Sequence, residues 1–236
     1  MLQVITFSRI IQVFILFFGG GIFFLIIAML ILKRQRNSMT HSLSLFFIFI
    51  FIGGLFNAIY VILTPHVSEP TVCSLHFITY FFFCFAQIFL LIFNLIILRS
   101  DRIISIKKRL SIIISYAGLL WLLILIPGGI MINEHTYYRP QWNLTFFIFA
   151  NVIWMGFAMI PTIITSIKVY RSIDDKVLRK KWLFYFIGTL MIYVELFGVG
   201  VCIYINDPML RLMWNIYDLS VFLGAIMIYY GVGRQS

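Results

Sequence analysis

Long apolar runs, separated by short polar and basic segments, constrain the fold of this sequence most strongly. A transmembrane α-helix needs about 20 consecutive, mostly apolar residues to cross the hydrocarbon core of a bilayer. Seven runs meet this requirement. They predict helices over residues 10–32, 42–63, 72–98, 110–132, 144–169, 182–205 and 209–232. The sequence therefore predicts an all-α polytopic integral membrane protein in which residues 1–236 form one seven-transmembrane-helix bundle.

The composition excludes a soluble domain. Charged residues make up 11% of the chain, against about 25% in soluble domains, and are too few to cover a water-exposed surface. The net charge is +10, but the basic residues lie in short segments between apolar runs. This distribution indicates membrane topology. We expect the lipid bilayer as a partner and no nucleic acid.

Basic residues concentrate in the segments after the first, third and fifth predicted helices and at the C-terminus. They are Lys33, Arg34, Arg36, Arg99, Arg102, Lys107, Lys108, Arg109, Lys168, Arg171, Lys176, Arg179, Lys180, Lys181 and Arg234. The opposite side holds Arg9, Arg139 and Arg211. Because cytoplasmic segments carry the excess of Lys and Arg, we expect the N-terminus outside, the C-terminus in the cytoplasm, and the cell membrane as the location.

Two carboxyl groups, those of Glu195 and Asp218, lie inside the sixth and seventh predicted helices. An ionisable group at the centre of a bilayer costs about 2.5–3.5 kcal/mol on insertion scales and usually faces the bundle interior. At about 1.5 Å rise per residue, Glu195 lies near the midplane and Asp218 slightly outward of it. If they face each other, at least one would be protonated at neutral pH, because buried like charges do not both ionise cheaply.

Other polar residues lie within the predicted helices near these two acids. Arg211, Asn215 and Asp218 follow i, i+4, i+7 spacing and predict one polar face on the seventh helix. A similar stripe follows the third helix at Tyr80, Cys84, Gln87 and Asn94. Asn57 lies in the outer half of the second helix. The predicted ligand-binding residues are therefore Glu195, Asp218, Asn215, Arg211, Gln87 and Asn57.

These polar residues allow two interpretations. In the first, they are hydrogen-bonding groups that hold helices together, with Glu195 or Asp218 neutral. In the second, they line a cavity that opens to the outside and binds a small polar or cationic ligand, or they relay protons. The sequence indicates depth but not the direction in which each side chain faces. The pairing of the two acids is therefore a hypothesis.

Prolines, glycines and aromatic residues give local expectations. Pro161 should kink the fifth helix, and Pro127 and its two following glycines should loosen the outer end of the fourth. The triple glycine 19–21 should allow close helix contact. The loop 133–142 carries aromatic residues suited to a membrane–water interface: Tyr137, Tyr138 and Trp142.

Motifs of enzymes and metal sites are missing from the sequence. It has no Gly-x-Ser-x-Gly elbow, P-loop or dinucleotide-binding glycine motif. The histidines are scattered, and Cys73, Cys84 and Cys202 lack metal-ligand spacing. A disulfide between Cys73 and Cys202 is geometrically feasible, but we expect unpaired buried thiols. We expect no enzymatic activity, no cofactor and no metal.

The loop before the sixth helix, residues 170–181, reads Tyr-Arg-Ser-Ile-Asp-Asp-Lys-Val-Leu-Arg-Lys-Lys and precedes an apolar helix with Gly188. This loop and the predicted topology resemble the seven-transmembrane sensor region at the N-terminus of certain prokaryotic histidine kinases. The resemblance covers most of the chain as topology, and as sequence only this loop and the start of the sixth helix. It implies a membrane sensor that passes a ligand-dependent helix movement to a cytoplasmic output.

Three functions follow as hypotheses. The preferred one is a stand-alone sensor or receptor-like protein. Because the sequence ends at Ser236, shortly after the seventh helix, a separate cytoplasmic signalling partner would read its movement, or the chain is a fragment. The alternative is a small proton- or cation-coupled transporter or channel in which Glu195 and Asp218 carry the ion, although no internal repeat is recognisable. The third is a structural membrane subunit whose polar groups only pack helices.

Overall fold

The computed structural model describes residues 19–34 and 37–233, without the side chains of 100–103. Nearly all of this chain is helical. The α-helices are α1 (Gly20–Arg34), α2 (Ser38–Leu63), α3 (Glu69–Ile103), α4 (Ile106–Trp121), α5 (Leu144–Trp154), α6 (Ile160–Ser172), α7 (Lys176–Ile205), α8 (Pro208–Tyr217) and α9 (Ser220–Ile228). Two short strands, β1 (Ile130–Met131) and β2 (Gln141–Trp142), pair antiparallel.

Six helical stretches of the described chain are long and apolar enough to cross a membrane. They are Ser38–Leu63, Glu69–Arg99, Ile106–Leu125, Leu144–Ser172, Lys176–Ile205 and Pro208–Val232. Helix α1 covers the second part of the first predicted helix, whose residues 10–18 lie outside the described residues. The protein is an all-α integral membrane protein.

Successive long helices run between two ends of the bundle. The segments 64–68, 126–143 and 206–207 meet at one end, called here the hairpin end. There the Asn133 amide donates to Glu69 at 3.1 Å, and Asn206 donates to Gln141 at 3.2 Å. The segments 104–105 and 173–175 lie at the other end, called here the basic end. Described lysines and arginines gather there: Lys33, Arg34, Arg99, Lys107, Lys108, Arg109, Lys168, Arg171, Lys176, Arg179, Lys180 and Lys181.

Helix α3 is the most buried of the six stretches, and α4 the least. Aromatic rings fill the interface between α2 and α3, where Phe49 lies 4.9–5.9 Å, between ring centroids, from Phe82, Phe85 and Phe89. Offset and edge-to-face ring pairs of this kind stabilise cores beyond their burial. The core therefore lies around α3, and the α4 and α5–α6 stretches flank it.

The fourth helix ends earlier than the predicted residue 132. Helix α4 ends at Trp121, a 3-10 turn (Leu122–Leu125) follows, and β1 begins at Ile130. Pro127 lacks an N–H, and Gly128 has a φ of 58°, a left-handed conformation that favours glycine. Together they turn the chain out of the helix. The predicted end of the helix at residue 132 was wrong, whereas the 3-10 turn before Pro127 agrees with the predicted loosening of its outer end.

Two further predicted helices are interrupted. Before Pro161, a π-helical turn (Met155–Met159) lets the Ile160 N–H bond to the Met155 carbonyl. The proline ring clashes with the carbonyl four residues back. The wider π-helical turn, with bonds between residues five apart, makes room for the ring. The seventh predicted helix, 209–232, was expected to be continuous. It consists of α8 and α9 with a turn at Asp218 and Leu219 between them, followed by a π-helical turn (Tyr229–Gly233).

Glycines bring α7 and the last helices into backbone contact. A Cβ atom on Gly224 would lie 3.0 Å from the Gly188 carbonyl oxygen, and one on Gly231 would lie 2.6 Å from the Lys181 carbonyl oxygen. Small residues allow such approach inside membranes. At the other end of the same surface, a Cβ on Gly20 would meet Phe222 at 3.0 Å, in agreement with the predicted close contact of the first helix.

Candidate functional site

A cavity of about 320 Å³ opens at the hairpin end between α2, α3, α7 and α8. Polar and aromatic side chains dominate its wall. They include Asn57, Tyr60, His76, Thr79, Tyr80, Arg139, Arg211, Trp214, Asn215 and Asp218. We call this the outer cavity. It has the size of a small-molecule site and combines apolar surface with few polar groups, as such sites do.

A second, smaller pocket of about 100 Å³ lies deeper in the bundle and is called here the inner pocket. Its polar residues are Gln87, Glu195 and Asp218, and the other walls are apolar. Four residues line both spaces: Phe83, Leu196, Val199 and Asp218. The two spaces therefore adjoin each other, with Asp218 at the boundary.

All six predicted site residues line these spaces. Asn57, Arg211 and Asn215 belong to the outer cavity, Gln87 and Glu195 to the inner pocket, and Asp218 to both. The i, i+4, i+7 face of the seventh helix therefore points at one cavity. Binding of a ligand by these residues stays a prediction.

Glu195 and Asp218 are neighbours across the α7–α8 interface, close enough for their carboxyl groups to interact. Both are buried. One oxygen of each, Glu195 Oε2 and Asp218 Oδ1, is buried without a hydrogen-bond partner within the described protein. The Trp214 indole lies beside the Glu195 carboxyl. Two adjacent carboxylates in a low-dielectric interior repel each other strongly, so the arrangement suits a pair that shares a proton or receives a cation.

Asp218 lies at a tightened turn of the seventh helix, where Asp218 and Leu219 keep right-handed helical dihedral angles. The Leu219 N–H bonds to Ile216 three residues back, and the Val221 N–H bonds to the Asp218 carbonyl. Helix α8, on the outer side of this turn, has no buried residue. It begins after Asn206, which has a φ of 57°, and Asp207, which caps the Leu210 N–H at 2.7 Å. The wall of the outer cavity is thus a short helical segment with a turn at each end.

Trp214 attaches this short helix to α7. Its six-membered ring lies directly over Gly198, where a Cβ atom would overlap it. Arg211 attaches the same helix to the loops, because its guanidinium donates to the Pro140 carbonyl at 2.6 Å and to Asn206 at 2.9 Å. Arg211 therefore helps to hold the rim of the outer cavity as well as lining it.

Sequence reasoning missed the packing of Trp142 against Tyr80 and His76, two residues that line the outer cavity. Trp142 was expected at the membrane interface, but it is buried, and its indole donates to His76 Nε2 at 3.3 Å. This assigns the acceptor role to Nε2 of His76. Tyr80 packs on Trp142 with ring centroids 4.7 Å apart. The contact depends on β2 folding back over the bundle, and two-residue strands leave no periodic signal in a sequence.

Asn94, in the polar stripe of the third helix, packs helices together. Its amide nitrogen lies 3.1 Å from the Thr162 carbonyl and 2.7 Å from Ser166 Oγ, and its oxygen accepts from the Tyr185 hydroxyl at 2.7 Å. Trp182 adds a bond to the Ser166 carbonyl at 2.9 Å. This cluster joins α3, α6 and α7 on the basic side of the inner pocket.

The described residues contain no group of three or more His, Cys, Asp or Glu side chains placed to hold a metal ion. The three cysteines are free thiols. What the site offers is hydrogen-bond acceptors with negative charge, set among aromatic rings.

Comparison with protein-family models, curated proteins and solved structures gives no match.

Proposed function

We propose that this protein is a membrane sensor, a receptor-like seven-helix protein that binds a small polar or cationic ligand from the outer side. In this proposal the ligand enters at the hairpin end, and helix movement is passed to a cytoplasmic signalling partner at the basic end. The protein would reside in the cell membrane with the N-terminus outside. Gathering of the described lysines and arginines at one end supports this orientation.

One observation carries the proposal. The outer cavity opens at the hairpin end and deepens to an acid pair, while the chain towards the basic end is closely packed. There, α7 and α9 meet at the backbone of Gly188 and Gly224, and the Asn94 cluster fills the space beside them. A site entered from one side suits ligand detection.

A route for helix movement starts at the same place. Asp218 lines the cavity and also forms the turn between α8 and α9. A ligand that contacts Asp218 therefore acts on the link between a loosely packed segment and a helix that reaches the basic end. At that end, the Arg34 guanidinium donates to the Tyr229 hydroxyl at 2.9 Å and joins the first and last helices. Turns of this kind serve as hinges in switching proteins.

The resemblance to the sensor region of histidine kinases agrees with this proposal, since it implies the same direction of signalling. The basic loops would face the partner's acidic surface, or the anionic lipids of the inner leaflet. No enzymatic reaction, cofactor or nucleic acid is part of the proposal.

The buried acid pair favours a second candidate, a small proton- or cation-coupled transporter. Transporters often place their substrate and ion sites near the bilayer midplane, and Glu195 and Asp218 are neighbours inside the bundle. In a transporter the close packing between the inner pocket and the basic end would have to open during the cycle.

Flux through liposomes separates the two candidates. Purified protein would be reconstituted, and proton and cation flux measured for the wild type and for the Glu195→Gln, Asp218→Asn double variant. We expect no flux from either, and a ligand-induced rise in Tm that the double variant loses. Flux that depends on the two acids would contradict the sensor proposal and favour the transporter.

Cysteine labelling tests the orientation separately. His135 and Asp174 are exposed at the hairpin and basic ends. In a background without native cysteines, we expect a membrane-impermeant maleimide to label His135→Cys in intact cells, and Asp174→Cys only after permeabilisation. The reverse pattern would overturn the orientation and, with it, entry of the ligand from outside.

A further inference from the structure

Three residues that line the inner pocket each carry a buried acceptor oxygen. These atoms are Gln87 Oε1, Glu195 Oε2 and Asp218 Oδ1, and each lacks a hydrogen-bond partner within the described protein. The three side chains are 2%, 9% and 8% exposed. Buried polar atoms are rarely left unpaired, because the desolvation of each is uncompensated. Three in one small pocket indicate a ligand that brings hydrogen-bond donors.

The orientation of Gln87 is fixed by its own helix. Its amide nitrogen donates to the Phe83 carbonyl at 3.1 Å. The reverse orientation would set two carbonyl oxygens against each other, since the amide oxygen only accepts. The Gln87 oxygen therefore belongs to the pocket together with the two carboxyl groups.

The charge of the pocket favours a cation. Even when Glu195 and Asp218 share one proton, the pair keeps one negative charge. No lysine or arginine is among the residues that line the inner pocket, whereas Arg139 and Arg211 line the outer cavity. A ligand with a single positive charge would neutralise the inner pocket.

The apolar walls favour an organic cation. Hard divalent metal ions take about six or more oxygen ligands, and the described residues hold no group of three His, Cys, Asp or Glu side chains placed for a metal ion. A primary ammonium group carries three N–H donors, one for each acceptor. The rings of Phe24, Phe83 and Phe222 also line the pocket, and aromatic faces attract ammonium groups.

The outer cavity provides space for the rest of such a molecule. It adjoins the inner pocket at Asp218 and Phe83, and the aromatic rings of Tyr60, Tyr80 and Trp214 line it. Flat apolar groups pack well on such rings. An amine seated at the acid pair would therefore extend its tail towards the hairpin end.

We propose that the inner pocket binds the primary ammonium group of an organic amine whose aromatic tail occupies the outer cavity. This inference rests on the proposed function for the outer cavity as the entrance of a ligand. It adds the class of ligand and the three groups that recognise it.

The test uses the full chain in lipid nanodiscs and three related probes. They are 2-phenylethylamine, its N,N,N-trimethyl analogue and 2-phenylethanol, with binding measured by isothermal titration calorimetry. We expect 2-phenylethylamine to bind. The other two probes should bind at least about tenfold more weakly, because the trimethyl analogue lacks N–H donors and 2-phenylethanol lacks a positive charge. Equal binding of the trimethyl analogue or the alcohol would overturn the proposal.

Variants assign the binding to the three acceptors. Gln87→Met keeps the side-chain volume and Asp218→Asn the shape, and each should weaken 2-phenylethylamine binding about tenfold or more. Glu69→Gln is the matched control: it removes a negative charge at the exposed hairpin end and should change binding less than about twofold. Wild-type affinity in Gln87→Met would overturn the proposal. The comparison of probes on wild-type protein does not depend on the folding of any variant.

Sodium ions and transport complete the test. If NaCl, and not the amine, raises the Tm through Glu195 and Asp218, the site is an inorganic cation site and the amine proposal fails. If the amine binds as expected but is also carried across liposomes, the ligand class stands and the sensor function fails. Failure of one proposal is therefore distinguishable from failure of the other.

Discussion

The Asn94 cluster gives the sharpest prediction about stability. The Asn94 side chain is fully buried and joins three helices, with its oxygen accepting from the Tyr185 hydroxyl at 2.7 Å and its nitrogen within 2.7 Å of Ser166 Oγ. Replacing Asn94 by leucine keeps the number and branching of the side-chain atoms and removes all of these bonds. The Tyr185 hydroxyl then loses this acceptor and keeps only the neighbouring Ser166 and Thr189 hydroxyls.

The expected cost follows from these contacts. A hydrogen bond between membrane helices contributes on average about 0.6 kcal/mol, and Asn94 makes up to three at once, two as donor and one as acceptor. A buried hydroxyl orphaned of one acceptor, with two hydroxyl neighbours left, adds about 1 kcal/mol. We expect Asn94→Leu to lower the free energy of unfolding by about 2–3 kcal/mol. Tyr185→Phe, which keeps the ring, should cost about 1 kcal/mol.

A double-mutant cycle tests whether the two side chains act on each other. When both partners are removed, no orphaned hydroxyl remains, so the double variant should be more stable than the sum of the single effects predicts by about 1 kcal/mol. The assay is reversible unfolding in mixed micelles, followed by circular dichroism. Additive effects would refute the argument that this bond joins the helices.

Asn151→Leu provides the control for that cycle. Asn151 is also buried, but its amide donates to the Phe147 carbonyl within its own helix at 2.8 Å. The same substitution there removes no bond between helices, and we expect a loss below about 1 kcal/mol. A loss as large as that of Asn94→Leu would show that burial of any asparagine, and not its bonds across helices, sets the cost.

Three glycine substitutions test the close contacts between α7 and the last helices, with Gly118 on α4 as the control. Gly231→Ala should lower the free energy of unfolding by about 1–3 kcal/mol through overpacking against the Lys181 carbonyl. Gly118→Ala, with nothing within 4 Å, should leave stability unchanged or raise it by up to about 1 kcal/mol. Equal unfolding midpoints for the two variants would contradict the contact. Gly198→Ala should displace Trp214 and increase its quenching by acrylamide; if quenching stays at the wild-type level, the ring does not rest on Gly198.

Membrane-spanning segments could be predicted because the bilayer imposes their length and polarity. An apolar run of about 20 residues has few alternatives to a helix, and the part of the chain that the structure describes holds six such helices. Their irregular turns were harder to predict. Pro161 indicated one, because a missing N–H affects any helix. Nothing in the sequence around Asp218 indicated the tightened turn there.

Part of the candidate site could also be predicted. Spacing along one helix fixes which residues share a face, so Arg211, Asn215 and Asp218 line one cavity. The rotation of one helix against another depends on packing. The sequence alone therefore could not predict that the Glu195 side chain approaches Asp218. Trp142 was missed for a related reason: its burial depends on the path of a loop.

Gln87 and Asn94 show where sequence reasoning ends. They are seven residues apart on α3, belong to one polar stripe, and are both nearly inaccessible. Opposite Asn94 the neighbouring helices present the Ser166 hydroxyl and the Tyr185 hydroxyl, which satisfy its amide. The inner pocket that Gln87 lines presents two carboxyl groups, which leave its oxygen without a donor. The same residue chemistry therefore packs helices at one depth and forms a candidate binding site about two turns away. The difference lies in the donors and acceptors of the facing helices.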